Sequence, residues 1–405
     1  MGVAGTAAQA WHDEISGREN ALAVDFNVPR GELVALQQAR RELTADAVDI
    51  WQALAVGVVA PVLAGFVHWI AAQAAMQENS VLCGVMREGR LLCRMLQRLH
   101  GVAAQEIWVN RHCAMLAAFG SGDDTALVNW LARTRVQPLT RAAAAELLQA
   151  PVPGDPASVL DADAAQALVT ENPGKWLAAA RAPAAALAAR LLRHWRGIVP
   201  PGRPVLLLDF ACAGNIQRAL QAVLAAAGDG AKLVGTNFLM TSGSVWAERA
   251  GCVQHGFLAA RGAPAVIAAP YARTPELIEI FAAAPIGPLL GYAADGTPQG
   301  APTFLTPEQV QRIDRLQGQI IAAAEAYQRA LFAPPSAALA RCLLGRLLTQ
   351  PTLAEVATLA DWPIDGGMDG AAARPLAPPV VGNLALGSRA ETAWPVGSKL
   401  RASAA

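Results

Sequence analysis

The chain has 405 residues, 54% of them hydrophobic, enough to bury a large core in two domains or one elaborated domain. Lys plus Arg and Asp plus Glu both number 32, so the net charge is zero and no basic face is offered; nucleic acid is excluded as the expected partner. The six cysteines make no C-x-x-C pair and the six histidines no H-E-x-x-H pattern, which points to a reduced compartment and away from a protein-bound transition metal. No basic region precedes an apolar core at the N-terminus, so no secretory signal is expected and the location read from the sequence is cytoplasmic.

Residues 1–50 read as helical, with the mixed charges of Arg40-Arg41-Glu42 on a solvated face. Residues 51–77 carry no Asp, Glu, Lys or Arg and are long enough to cross a membrane. Gly57, Pro61, Gly65, His68 and several glutamines interrupt them, and the reading is a buried or interfacial helix beginning near Pro61. Peripheral contact with the inner face of the membrane stays open for this stretch.

Residues 80–86 form an apolar run suited to a buried strand. The polar loop Arg87-Glu88-Gly89-Arg90 follows, and Leu91, Leu92, Met95, Leu96 and Leu99 give the next helix its apolar face. Residues 105–111 read as a second strand with Arg111 at its end, which completes a βαβ unit. Residues 120–195 are alanine-rich and helical, broken by a turn at 151–156, and read as an inserted lobe. Inside it Asp161-Ala162-Asp163 imitates the D-x-D of aspartyl-nucleophile phosphatases. Only Val159 and Leu160 precede it as apolar residues, so it reads as a helix N-terminus.

Val205-Leu206-Leu207-Leu208-Asp209, a loop of small residues ending at Gly214, and a helical pattern on Ile216, Leu220, Val223 and Leu224 spell strand, tight turn and helix. Such a turn aims backbone N–H groups at one point that suits a phosphate. Asp209 would stand beside it at the carboxyl end of the strand, where open α/β sheets place ligands; capping the turn is the other role open to it. Residues 232–240 add a strand, so a parallel sheet of at least four strands is expected. Residues 252–300 look irregular, and Thr306-Pro307-Glu308 opens a helix running to about residue 331. The plan is a helical region at 1–77, an α/β core at 78–300 with a helical insertion at about 120–195, helices at 301–364, and a disordered Gly/Pro/Ala-rich tail at 365–405.

An Arg-bearing loop and an Asp-bearing loop in one α/β sheet resemble the phosphoribosyltransferase arrangement. A narrower resemblance is carried by Leu63-Ala64-Gly65-Phe66-Val67-His68-Trp69, Met86-Arg87-Glu88-Gly89-Arg90-Leu91-Leu92, Asn110-Arg111, Leu208-Asp209-Phe210-Ala211-Cys212-Ala213-Gly214-Asn215-Ile216-Gln217 and Pro285-Ile286-Gly287-Pro288-Leu289-Leu290-Gly291-Tyr292. These blocks look like those of a bacterial polysaccharide-biosynthesis family often fused to a haloacid-dehalogenase-type phosphatase. The resemblance implies a phosphoribosyltransferase-like α/β core with added helical lobes. It implies a glycosyltransferase that moves ribofuranose 5-phosphate from phosphoribosyl pyrophosphate to a glycan acceptor, with a separate phosphatase partner removing the phosphate.

Under that resemblance Arg87, Glu88, Gly89 and Arg90 surround the pyrophosphate leaving group, and Mg²⁺ bridges it through substrate oxygens and water. Asp209 contacts ribose hydroxyls or stabilises the cationic sugar. Ala213, Gly214, Asn215 and Ile216 offer N–H groups to the 5-phosphate, and Gln217 adds a side-chain donor. Arg111 is a further phosphate ligand or a structural salt-bridge partner. Glu276 or Glu279, with Glu279 preferred, is the base for an acceptor hydroxyl or a helix N-terminal acid. The sequence departs from the ordinary pattern at Phe210, where a second acid is usual, and at Ala211, where the narrower family has glycine. Two other functions remain open: a non-catalytic phosphosugar- or nucleotide-binding scaffold of the same fold, and a phosphatase using Asp161 and Asp163.

Overall fold

A computed structural model describes residues 3–132, 139–171, 174–210, 213–365, 373–379 and 392–404. The chain opens with α1 (Val3–Asp25) and α2 (Arg30–Leu43). One 26-residue helical run follows over Ile50–Ala75: α3 (Ile50–Leu54), a π-helical turn over Ala55–Val59, and α4 (Ala60–Ala75). The run begins at Ile50 rather than near Pro61, because the Asp49 side chain accepts a hydrogen bond from the Gln52 N–H and caps it. Just before Pro61, which has no N–H to donate, Ala60 donates back five residues to the Ala55 carbonyl, so the π turn accommodates the proline inside a continuous helix. Gly57 in that turn faces Arg40, and a Cβ there would lie 2.8 Å from Arg40 Cδ. Arg40 itself is fully buried and makes a two-pronged ion pair with Glu19, both bonds at 2.7 Å. By length and composition the run could cross a membrane, yet 89% of its apolar window is buried inside the protein. It is the central helix of a core.

The sheet begins with β1 (Val81–Val85), α5 (Gly89–His100) and β2 (Gln105–Ile107). Then come α6 (Arg111–Gly120), α7 (Asp124–Ala132), β3 (Leu139–Thr140), α8 (Arg141–Leu148), β4 (Val159–Leu160), α9 (Ala162–Glu171) and α10 (Lys175–Arg196), all before the chain returns to the sheet. Asp161 accepts from the Ala164 N–H at 2.7 Å and so caps α9, as its sequence context indicates. Among the described residues β4 pairs only with β3 and lies outside the parallel sheet, so Asp161 does not stand at the carboxyl end of a strand of that sheet.

The return is β5 (Val205–Asp209), α11 (Asn215–Ala226), β6 (Leu233–Asn237), α12 (Val245–Arg249) and β7 (Val253–Gly256). Among the described residues five strands form one all-parallel sheet in the order β2-β1-β5-β6-β7. Successive residues point to opposite faces of a strand. Leu82, Leu206 and Leu208 accordingly join a core with α4 and α5, whereas Cys83, Val85, Val205 and Leu207 join a second core with α6, α10 and α11. Helices cover both faces, which makes the fold α/β. The chain leaves β1 toward β2 on one side, then re-enters on the other side at β5. The strand order reverses between β1 and β5.

Residues 252–300, expected to be irregular, hold β7, α13 (Ala265–Arg273), α14 (Glu276–Ala282) and a hairpin of β8 (Leu289–Tyr292) with β9 (Pro298–Gly300). The edge strand β7 reads Val-Gln-His-Gly, with neither an apolar run nor alternation strong enough to mark it in the sequence. Helices α15 (Pro307–Ala330), α16 (Ala337–Thr349) and α17 (Leu353–Leu359) follow, with the Thr306 capping box on α15. The stretch from Asp365, expected to be a disordered tail, differs in its described parts. Here β10 (Pro363–Ile364) pairs with β11 (Arg374–Pro375), α18 (Pro395–Ala404) ends the described chain, and Leu376, Ala377, Ala393 and Trp394 are buried in the α4 core. Trp394 supplies the reason: its ring is fully buried and its indole N–H donates to the Leu348 carbonyl.

Candidate ligand site at the carboxyl edge of the sheet

The loop after β1 is fixed on three sides. Gly84 and Gly89 touch, since a Cβ on Gly84 would lie 2.7 Å from the Gly89 carbonyl oxygen and 2.7 Å from Cys93 Sγ. The first turn of α5 thus sits directly over the strand. Met86 donates its N–H to the Ile107 carbonyl at 3.0 Å, and the Arg87 carbonyl accepts from the Ala284 N–H at 3.2 Å. The Met86–Arg87 peptide is cis. Arg87 and Glu88 are half-buried, and the Arg87 guanidinium lies 3.7 Å from the Asp365 carboxylate. Arg90 donates from Nε to Glu106 at 3.2 Å.

The second loop leaves the neighbouring strand. Gly84 pairs in register with Leu208, so the carboxyl ends of β1 and β5 are adjacent, about 5 Å apart as in any parallel sheet. Asp209 is half-buried and pairs with Asn237 of β6, its carbonyl accepting from the Phe238 N–H at 2.9 Å. Phe210, at the position of the usual second acid, is instead a buried anchor. Its ring packs with Phe66 and Phe238, which both pack on Phe257. Ala211, where the narrower family has glycine, and Cys212 lie outside the described residues. Gly214 has φ 66° and precedes the first turn of α11; a Cβ there would be 2.7 Å from Gln254 Cδ, so both the backbone and the space call for glycine. Ala213, Asn215 and Ile216 are half-buried around that helix start.

Two of the residues singled out in the sequence fall elsewhere or are otherwise engaged. Gln217 is no ligand donor: it is buried, its amide N–H groups donate to the carbonyls of Leu233 and Val253 at 2.9 Å each, and its oxygen accepts from Gln254. It ties α11 to β6 and β7. Arg111 does not end a strand, because β2 stops at Ile107 and Asn110 caps α6 by accepting from the Cys113 N–H at 2.8 Å. Arg111 is thus the exposed first residue of α6, beyond β2 and on the side of β1 away from Asp209. Glu276 and Glu279 both lie in the first turn of the seven-residue α14. That helix runs into Ala284, whose N–H holds the Arg87 carbonyl, so Glu279 belongs to an element anchored on the first loop.

The structure adds residues that sequence reading missed. Asp365 reaches Arg87 from the segment taken as a tail, and no local sequence signal announces it. The Thr241-Ser242-Gly243-Ser244 loop after β6 lies against the Asp209 loop, where a Cβ on Gly243 would be 3.1 Å from Ala213 Cβ. Strand, small polar residues and helix were legible there too. The turn after β2 is clamped at Trp108: its N–H donates to His194 Nε2 at 3.1 Å and its carbonyl accepts from the Tyr292 hydroxyl at 2.6 Å. Burial lowers the His194 pKa, which keeps the ring a neutral acceptor, and burial raises that of Tyr292, which keeps its hydroxyl a donor.

An open hollow of about 470 Å³, lined by Gly120, Leu177 and Ala182, lies between α6 and α10 and not at this edge. Its lining is mostly methyl groups, and Arg181, the charged side chain that also lines it, is taken up by an ion pair with Asp124 and by the Phe119 ring. The arrangement at the sheet edge is the chemically equipped one: a guanidinium, two helix starts and a carboxylate on adjacent strands. No protein-family model matches the sequence, and no curated protein is significantly similar to it.

Proposed function

We propose that this protein is a phosphoribosyltransferase-like glycosyltransferase that transfers ribofuranose 5-phosphate from phosphoribosyl pyrophosphate to a glycan acceptor in polysaccharide biosynthesis. The observation that supports this best is the reversal of strand order between β1 and β5, the crevice where open α/β sheets bind ligands. The Arg87 loop and the Asp209 loop flank that crevice. A donor with phosphate at both ends needs two anion-binding points separated by a sugar.

In this reading Arg87 and the start of α5 receive the pyrophosphate, on which negative charge grows as the bond from its oxygen to the anomeric carbon breaks. The N–H groups at the start of α11 hold the 5-phosphate, and Asp209, between the two, faces the ribose, whose anomeric carbon gains positive character. The acceptor oxygen forms the new bond to that carbon, and its proton passes to Glu279. A separate phosphatase would then remove the 5-phosphate. Among the described residues no three His, Cys, Asp or Glu side chains gather into a metal-binding group. In this reading Mg²⁺ would be carried on diphosphate oxygens and water, with Asp209 as an acid at hand, and the ion would supply charge neutralisation on the leaving group. The reading places the protein in the cytoplasm. In the helical run Ile50–Ala75, 89% of the apolar window is buried inside the protein.

The scaffold alternative draws on one feature, the acids already facing both loop arginines: Asp365 at Arg87 and Glu106 at Arg90. Incubation with phosphoribosyl pyrophosphate, Mg²⁺ and a panel of glycan acceptors, followed by ³¹P NMR, separates the two. Acceptor-dependent release of pyrophosphate that is lost in Asp209→Asn supports the transferase. Donor binding without release under any acceptor supports the scaffold.

A further inference from the structure

We infer that the Asp365 carboxylate holds the place of a ligand phosphoryl group on Arg87, so that the C-terminal segment fills the first anion subsite until a diphosphate displaces it. The inference rests on the reading of Arg87 as the diphosphate-binding residue and adds a competitor within the chain itself.

Arg87 is the fixed member of the pair. Its backbone carbonyl is held by Ala284, and the residue before it is held by Ile107. Asp365 is delivered by a built element. It follows β10 directly, where Ile364 is 4% exposed and pairs with Arg374, and Trp362 packs on Trp51 with ring centroids 4.7 Å apart. The carboxylate therefore arrives at the loop because the C-terminal unit is docked in the core.

The contact itself is loose. At 3.7 Å the groups attract by charge beyond ordinary hydrogen-bond length, and the two side chains are 26% and 25% exposed. A solvent-borne anion can reach the same guanidinium edge. Carboxylate and phosphoryl oxygens present equivalent acceptors to guanidinium, but the diphosphate carries several charges where Asp365 carries one. The exchange favours the diphosphate, and it leaves a small cost because the existing pair must be broken. A half-exposed pair of this kind contributes at most about 1 kcal/mol, which is about fivefold in a binding constant.

The test is titration calorimetry with pyrophosphate and Mg²⁺ on the full chain and on five variants. Asp365→Asn is expected to bind pyrophosphate about two- to fivefold tighter than the wild type. Asp365→Glu keeps the charge and stays near wild-type affinity. Asp361→Asn removes a carboxylate from the same C-terminal unit, where it pairs with Arg401 at 2.6 Å, and leaves the affinity unchanged. The gain from Asp365→Asn disappears when Arg87→Ala is also present, as judged against Arg87→Ala alone. Unchanged or weaker binding in Asp365→Asn, with the wild type binding normally, overturns the place-holder and leaves the transferase reading standing. An equal gain from Asp361→Asn overturns it too, since the effect would then be one of overall charge. Failure of both wild type and Asp365→Asn to bind pyrophosphate overturns the inference together with the reading it rests on.

Discussion

Gly84 and Gly89 are in contact: a side chain on Gly84 would press its Cβ to within 2.7 Å of the Gly89 carbonyl oxygen. Strand and helix start are drawn together by the absence of two side chains, and this sets Arg87 above the carboxyl end of β1. Gly84→Ala is expected to lower stability by about 1–3 kcal/mol, the range for inserting a methylene-sized group where nothing can yield cheaply. Denaturant midpoints measure it. The folded fraction should also bind pyrophosphate less well, because the loop must lift.

Arg87→Ala is expected to weaken pyrophosphate binding by about 10- to 100-fold, the worth of a charge-assisted pair at a partly desolvated site. Arg90→Ala should lose less, because the Arg90 Nε–H is already directed at Glu106. Titration calorimetry at fixed salt orders the two. Equal losses would contradict the asymmetry of the loop.

Gln217→Leu should be a stability variant and not a binding variant. It removes the donors to the Leu233 and Val253 carbonyls and the acceptor for Gln254, which is expected to cost about 2–4 kcal/mol. Pyrophosphate affinity of the folded protein should stay at the wild-type value. A large loss of affinity without loss of stability would return Gln217 to the ligand.

Stability should fall in mild acid. His12 is buried, with its pKa lowered from 6.5 to about 4 by burial first and by Arg40 and Arg41 next. Between these values the unfolded chain binds a proton that the folded chain excludes, so unfolding becomes easier as pH drops. The loss accumulates from about pH 6.5 down to about 4 and amounts to about 3 kcal/mol. His12→Gln should flatten this part of the unfolding free energy against pH profile.

Much of the fold was legible because its units are local. In Val81–Val85 with Gly89–His100, and in Val205–Asp209 with Asn215–Ala226, apolar runs, small-residue turns and helical spacing follow each other within about twenty residues. The role of Gln217 was legible as well and was misread: positions 217, 220 and 224 share one helix face, and Leu220 and Leu224 are buried with it. Arg111 was misplaced because Trp108 and Val109 extend an apolar pattern past the last ladder pair at Ile107. Asp365 was out of reach of any local pattern. Its position depends on Trp362, Leu376 and Trp394 docking into a core built by residues some three hundred positions earlier, and composition alone made that stretch look unstructured.

If the Arg87 and Asp209 loops hold one ligand between them, each must contribute to its affinity. Titration calorimetry of the wild type, Arg87→Ala and Asp209→Asn with phosphoribosyl pyrophosphate and Mg²⁺ decides this. Saturable one-to-one binding by the wild type, weakened at least about tenfold in each variant, is the predicted result. No binding by the wild type, or binding that neither substitution alters, would contradict it.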